Sequence, residues 1–461
     1  MKRLSFLLVL LLLISKAFAA DRPPNIVMIL ADDLGWGDVS FNGRTEWHTP
    51  NLDQLAKEGT NYKRFYAASV VCAPSRAALM TGRYSIHNGV TGNSSLDLPS
   101  EETTIAEALK TKGYATGLFG KWHHGAPRPG ATQYTHPMDQ GFDEFFGYTE
   151  ARAAWEKFPK KLFEGREEKP VKGYADTLFA DRAIDFINRH KDQPFFCYVP
   201  FIAPHGLQEA PEDEVRSHLD KFTDSKDARS KTVATYAAQI TQMDKEVGRL
   251  MKTLREAGLD ENTVVVFTSD HGATFETIQK GATVVLDSNK PFRGQKRTLW
   301  EGGARVPGIV RWPGHVPAGA ESHEIVHMID LFPTFCAIAG APIEKKWNID
   351  GANLIDVFMG KAKGPQRTLF FEWDEDGAKQ LAAMRGNLKL IFNGNNTKPE
   401  MYDVEADPAE RIDRRALHEK QAREMQKELE QWYATMTIAA KAKRPTKESK
   451  PASDGRSKQD E

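Results

Sequence analysis

Asn25-Ile26-Val27-Met28-Ile29-Leu30-Ala31-Asp32-Asp33 is an apolar run that passes straight into two carboxylates. A short run without polar alternation reads as a strand buried on both faces, the environment of a parallel sheet. The same texture recurs at Tyr114–Phe119, Phe195–Val199, Val264–Phe267 and Gly308–Val310. Helical patterns lie between these runs, over Thr103–Thr111, Ala175–Arg189 and Thr232–Glu256. In the longest of them Ile240, Met243, Val247, Leu250 and Leu254 recur at helical spacing. Strand alternating with helix over most of the chain predicts an α/β domain with a mostly parallel central sheet and helices on both faces.

After about Ala341 the texture changes. Thr368–Trp373, Gln380–Met384, Leu388–Phe392 and Met401–Val404 read as short strands, with Asn393-Gly394 as a turn. Ala422, Met425, Leu429, Trp432 and Met436 then mark a long amphipathic helix. This predicts a smaller C-terminal α+β domain with an antiparallel sheet, at 342–440, behind a main domain at 21–341. Lys441–Glu461, with seven basic and four acidic residues and almost nothing apolar, reads as a disordered tail. Residues 1–20 have a basic start at Lys2-Arg3, a short apolar run and Ala17-Phe18-Ala19 as a cleavage site. They read as a signal peptide, so the mature chain is expected to be secreted or periplasmic, without stable membrane insertion. An uncleaved N-terminal anchor is the alternative.

The 461 residues carry 62 basic and 63 acidic side chains, a net charge of -1. That balance argues against a protein that coats nucleic acid or an anionic membrane through bulk charge. Three cysteines are too few for a disulfide framework. Function must therefore come from local sites.

The strand ends supply one. Asn25–Leu30 leads into Asp32-Asp33, and Val264–Phe267 into Asp270-His271-Gly272. The strand at Tyr114 ends at Gly120-Lys121-Trp122-His123, and the one at Phe195 at Ala203-Pro204-His205. In open parallel sheets these C-terminal ends form the ligand crevice. Asp32, Asp33 and Asp270 on one rim would repel one another unless a cation lay between them, and carboxylates suit calcium or magnesium. Each Asp taken singly also fits a helix N-cap. Arg76, Lys121, His123, His205 and Lys296 beside such a metal would point to an anionic substrate, tetrahedral sulfate or phosphate. Lys296, in Arg293-Gly294-Gln295-Lys296-Arg297, equally fits a solvated loop.

Val71-Cys72-Ala73-Pro74-Ser75-Arg76-Ala77-Ala78-Leu79-Met80-Thr81-Gly82-Arg83 predicts a helix with Pro74 in its first turn and Gly82 at its stop. Cys72 then sits just before the helix N-terminus, where a thiolate or an oxyanion is stabilised. An isolated Cys is otherwise a small buried hydrophobe, which is how Cys197 and Cys336 read.

Together these motifs resemble the sulfatase family, the formylglycine-dependent members of the alkaline phosphatase-like superfamily. Cys72-Ala73-Pro74-Ser75-Arg76 with Thr81-Gly82-Arg83 is similar to the family signature C-x-P-S-R-x4-T-G. Ile29–Gly35, Gly120–His123, Ala203–His205, Thr268–Gly272 and Lys296 ahead of Glu301-Gly302-Gly303 follow in the family's order. The resemblance implies an alkaline phosphatase-like fold and a sulfuric ester hydrolase acting on a sulfated carbohydrate or aryl sulfate. It implies that Cys72 is oxidised to formylglycine by a formylglycine-generating enzyme. It also implies a calcium shell of Asp32, Asp33, Asp270, His271 and modified Cys72, with magnesium or another divalent ion as the alternative. Arg76 would hold the formylglycine hydrate, and Lys121, His123, His205 and Lys296 would surround the sulfate. His123 would be the base that expels sulfate, and His205 or Lys296 the acid that protonates the leaving oxygen. His271 stands where many members have an amide, and imidazole admits other metals more readily. His124 stands where the family often has an apolar residue, and either touches substrate or packs.

Between His124 and Asp176 lie Trp155, Phe158, Phe163 and Tyr174, with seven basic and four acidic residues from Arg152 to Lys172. Aromatics and bases near the pocket would suit a sulfated sugar. An ordinary solvated insertion is the other reading. Export fits an extracellular sulfated polysaccharide or glycosaminoglycan. Two rival functions are a phosphate or phosphonate monoester hydrolase on the same fold and a non-catalytic protein that binds sulfated glycan. A thiol hydrolase using Cys72 directly lacks the supporting Asn/His context.

Overall fold

A computed structural model describes residues 22–443 except 94–97, 126–134, 223–227, 276–280, 376–377 and 395–397. The proposed signal peptide lies outside the described residues, as do 444–461 of the expected tail. Within that tail, 441–443 instead complete the helix Glu419–Lys443.

The core is a sheet of eleven strands among the described residues. These are β1 (Asn25–Asp32), β2 (Thr60–Tyr66), β3 (Ala115–Lys121), β4 (Glu144–Tyr148), β5 (Lys161–Glu164), β6 (Glu167–Pro170), β7 (Phe195–Pro204), β8 (Thr263–Ser269), β9 (Arg305–Val306), β10 (Gly308–Arg311) and β11 (Ala320–His327). Their order is β11-β2-β10-β8-β1-β7-β3-β4-β5-β6, with β9 also on β2. The five apolar runs are all strands, and β8, β1, β7 and β3 lie side by side and parallel. Their residues are buried throughout, which is why they carry no polar alternation. Two apolar clusters, one on each side, pack helices against the sheet. The run at Gly308 departs from expectation, because β10 is antiparallel to both β8 and β2. An apolar run reports burial, not direction.

Ala175–Arg189 is a helix over the expected span. The helix expected at Thr103–Thr111 narrows to Ile105–Lys110, because Thr104 caps it and Glu107 closes a capping box. The longest helix starts earlier than its apolar stripe, at Ala228. A second sheet holds β12 (Leu369–Glu375), β13 (Ala378–Arg385), β14 (Leu388–Asn393) and β15 (Glu400–Asp403), each antiparallel to the next. One face of it packs on the helix Glu419–Lys443 through Ala422, Met425 and Leu429. The other joins Tyr66, Val70, Val71 and Trp300 of the main domain in a shared core.

Gly120 and Gly147 pair across β3 and β4 with φ of 144° and 151°. A Cβ on Gly147 would lie 1.9 Å from the Gly120 carbonyl oxygen, and one on Gly120 would lie 2.0 Å from that of Pro200. Backbone cannot yield there as a side-chain tip would. Gly147→Ala is therefore expected to destabilise the protein by about 3 kcal/mol or more, read by chemical denaturation. A variant within about 0.5 kcal/mol of the parent would show that the strands can part at no cost.

Candidate active site

Adjacent parallel strands deliver their ends to one place. Asp32 and Asp33 leave β1, Asp270 and His271 leave β8, His205 leaves β7, and Lys121 and His123 leave β3. The helix Cys72–Thr81 points its start into the same space, with Val71 as its N-cap and Gly82, in the left-handed region at φ 65°, as its stop. Cys72 is the first helical residue and not the residue before it, because Pro74 is accepted at the third position. The loop after β8 returns Lys296. All these side chains are buried.

Cys72 Sγ lies 3.2 Å from His271 Nε2, 3.6 Å from Asp32 Oδ1 and 4.0 Å from Asp33 Oδ1. One ligand atom each from Asp32, Asp33, Cys72 and His271 falls within 4.8 Å of the others. Asp270 adjoins this group: its Oδ1 lies 3.6 Å from His271 Nε2 and accepts from the Asp33 N–H at 3.1 Å. Its other oxygen faces Arg76, at 3.0 Å from Nε and 2.9 Å from Nη2. Arg76 also donates to the Lys121 carbonyl at 3.0 Å and reaches Asp32 at 3.4 Å. Lys121 Nζ lies 2.7 Å from Asp32 Oδ2, and Lys296 Nζ lies 3.0 Å from both oxygens of Asp33. The solvated-loop reading of Lys296 thus gives way to a buried ion pair. His205 stands 3.7 Å from Asp32 and 3.9 Å from Asp33.

Burial alone would raise the Asp32 carboxyl, but Lys121, His205, Arg76 and Lys296 outweigh it and hold it well below the usual range. Asp33 goes the other way. Burial raises it, and Asp32 and Asp270 add to that against Lys296 and His271. Burial works against a proton on His271, yet Asp270, Cys72 and Asp33 draw one there and lift it to about 9. A bound cation would take that proton's place. Burial, with Lys121, His124 and Arg76, holds His123 well below its ordinary value. His205 is likewise held low by burial, which with Lys121, Lys296 and Lys157 outweighs Asp32. In both, burial disfavours the protonated ring. Among the described residues, neither ring nitrogen of His123 has a hydrogen-bond partner. Asp33 and His123 hold positive φ of 63° and 84°, uncommon outside glycine and concentrated at functional sites.

The chain matches the Sulfatase family model over residues 24–341. The chain belongs to the sulfatase family. A second model, N-sulphoglucosamine sulphohydrolase, C-terminal, matches residues 293–438 of this sulfatase. It is 33% identical to human arylsulfatase A over 87% of this chain and 80% of that one. It is 36% identical to mouse N-acetylgalactosamine-6-sulfatase, over 79% and 72%. Among solved structures it is similar to Ps i-CgsB in complex with k-i-k-neocarrahexaose, at 31% identity and a TM-score of 0.79, over 89% of this chain and 93% of that one. The chain is thus a sulfuric ester hydrolase with the alkaline phosphatase-like fold.

The aromatic segment is only partly at the site. Trp155 meets His205 edge to face, with ring centroids 6.2 Å apart. Phe163, on β5, instead packs on Phe145 and His136, and buried Tyr174 packs on Phe158. Lys161 and Arg166 pair with Glu168 and Asp139, and Lys169 with Glu167, so these bases serve the β5–β6 hairpin. His124 is buried, its backbone bridged to that of Glu150, its ring edge-on to Trp122 at 5.2 Å and 5.9 Å from that of His123. Sequence reasoning missed Lys157 and Asp176. Lys157 is buried and donates to the Ile202 carbonyl at 2.6 Å, while Asp176 accepts from the N–H groups of Ile202 and Ala203 at 2.9 and 3.1 Å. Both clamp the end of β7 just before His205. One lysine among seven bases in a polar segment carries no mark of burial.

Proposed function

We propose that the chain hydrolyses sulfate esters of a carbohydrate with a formylglycine hydrate at position 72, beside a divalent cation. The observation that carries this is the meeting of Cys72, at a helix start, with three buried carboxylates and the ring of Lys121, His123, His205 and Lys296. The donors Asp32, Asp33, Cys72 and His271 fit a divalent ion, with Asp270 alongside. Two hard carboxylates favour calcium or magnesium, and the imidazole leaves other ions open. Such an ion, when bound, draws charge from the sulfate oxygens and the nucleophile.

Residue 72 then offers two hydroxyls on one carbon. One hydroxyl gives its proton to the carboxylates beside it and its oxygen bonds to sulfur as the bond from sulfur to the sugar oxygen breaks, and the sugar leaves as an alcohol after taking a proton. Lys296, paired with Asp33, or His205, beside Asp32, gives that proton. His123, whose protonated ring burial disfavours and whose ring nitrogens are free among the described residues, removes the proton of the second hydroxyl. The aldehyde re-forms, the carbon–oxygen bond breaks and sulfate leaves. Water restores the hydrate. Arg76 steadies Asp32 and Asp270 throughout.

Sulfated glycan as the substrate class is supported by the names of the relatives, an N-acetylgalactosamine-6-sulfatase and a structure holding a neocarrahexaose. The leader-like residues 1–20 support export to where such polymers occur. Among the described residues no helix is long and apolar enough to cross a membrane. The test compares p-nitrophenyl sulfate with p-nitrophenyl phosphate on the modified protein. Sulfate turnover is expected to exceed phosphate turnover by about 100-fold or more. Dominant phosphate turnover would make the chain a phosphate monoester hydrolase.

A further inference from the structure

Trp155 stands apart from the other aromatics of the site. It is 38% exposed while its ring meets that of His205, so one part of the indole borders the sulfate pocket and another faces solvent. Several bonds fix it there. The Leu207 N–H donates to the Trp155 carbonyl at 3.2 Å. Gly206, at φ 87°, leaves room for this: a Cβ on it would lie 2.9 Å from the Trp155 Cα. Two residues on, Lys157 runs inward to the Ile202 carbonyl, and its own carbonyl accepts from the Ala175 N–H at 2.8 Å. Tyr148 Oη donates to the Glu156 carbonyl at 2.7 Å, holding the residue between them. An exposed tryptophan on a wandering loop would lose its ordering entropy on contact with a ligand. The backbone that carries this one is held beforehand, and its ring rests on His205.

We infer that Trp155 is the wall of the leaving-group subsite, stacking its indole face on the C–H face of the sugar ring that carries the sulfate. This rests on the carbohydrate reading above and deepens it. A pyranose shows aliphatic hydrogens on its face and hydroxyls at its rim, and the negative face of an indole attracts those hydrogens while leaving the rim in water. An open indole edge suits such a half-wet ligand. A sterol or other wholly apolar alcohol would call for an enclosed slot, whereas Trp155 and its neighbour Leu207, 41% exposed, stand open. The position also matches the chemistry. The sulfur must lie among Lys121, His123, His205 and Lys296, so the ring attached to it extends past one of them, and His205 is the one that Trp155 covers.

The test measures wild type, Trp155→Ala and Trp155→Phe, with Cys72 modified, on p-nitrophenyl sulfate and on galactose 6-sulfate, N-acetylgalactosamine 6-sulfate, N-acetylglucosamine 6-sulfate and galactose 4-sulfate. Inorganic sulfate is the competing inhibitor in each case. For the best sugar, Trp155→Ala is expected to lower kcat/KM by about tenfold or more, with the loss in KM, and Trp155→Phe to recover most of it. The inhibition constant of inorganic sulfate is expected to move by less than about twofold, since sulfate needs no ring-binding wall. An unchanged KM for the sugar overturns the inference while leaving the carbohydrate reading intact. So does a parallel loss of sulfate binding with no recovery by Trp155→Phe, which would make Trp155 a mere support for His205. If wild type turns over p-nitrophenyl sulfate but none of the sugars, the carbohydrate reading falls and the sugar wall with it.

Discussion

Cys72→Ala is expected to lower sulfate ester hydrolysis by on the order of 10⁴-fold or more, with the fold intact. Alanine fits the first position of the helix Cys72–Thr81 and removes nothing that caps it, because Val71 is the N-cap and the Cys72 side chain points at Asp32 and His271. The loss is therefore chemical. A thiolate can attack sulfur once, but it has no second group on the same carbon to drive sulfate off, whereas an aldehyde hydrate has one. The same reasoning makes the unmodified wild type as inactive as the alanine variant. Steady-state turnover measured beside mass spectrometry of the peptide containing residue 72 checks both. Activity should scale with the fraction of peptide carrying the aldehyde. Full activity in protein whose peptide still carries an intact thiol would sink the mechanism.

Removing divalent cations with EGTA and EDTA should lower turnover by about 100-fold or more, and calcium should restore it. Asp32, Asp33 and Asp270 are buried side by side, and their neighbours already disagree about them: Asp32 is held low and Asp33 pushed up. A divalent charge between them would lower Asp33 and discharge His271. Stability gives a second readout. Lys121 and Lys296 each touch one of these carboxylates and Arg76 two, so the stripped protein should stay folded and unfold a few degrees lower, at roughly 2–4 °C for each kcal/mol of lost binding energy. Elemental analysis of the stripped sample must accompany the assay. Undiminished turnover in demonstrably metal-free protein would remove the cation from the site.

Much of this was legible along the chain because its signals are local. Each apolar run reports a strand buried on two faces, and each run's last residues name what arrives at the crevice. The Cys72–Arg83 segment carries its own start, stop and nucleophile. Thr104 and Glu107 were visible as residue types but not as a capping box, which trimmed the helix they begin. What only the tertiary structure decided is who stands next to whom. The order β8-β1-β7-β3 makes four distant strand ends one pocket, and no periodicity encodes that order. Apolar content likewise said nothing of the reversed direction of β10. Lys296 fitted either the sulfate ring or a solvated loop, and Lys157 was one base among seven; both are buried, Lys296 on Asp33 and Lys157 under the end of β7. Phe163, one of four aromatics that suited either a sugar or an ordinary insertion, belongs to another packing layer. Charge alone does not tell a buried lysine from an exposed one. The cost of burying it is met by partners more than a hundred residues away for Lys296 and tens of residues away for Lys157, and only the folded chain brings them within reach.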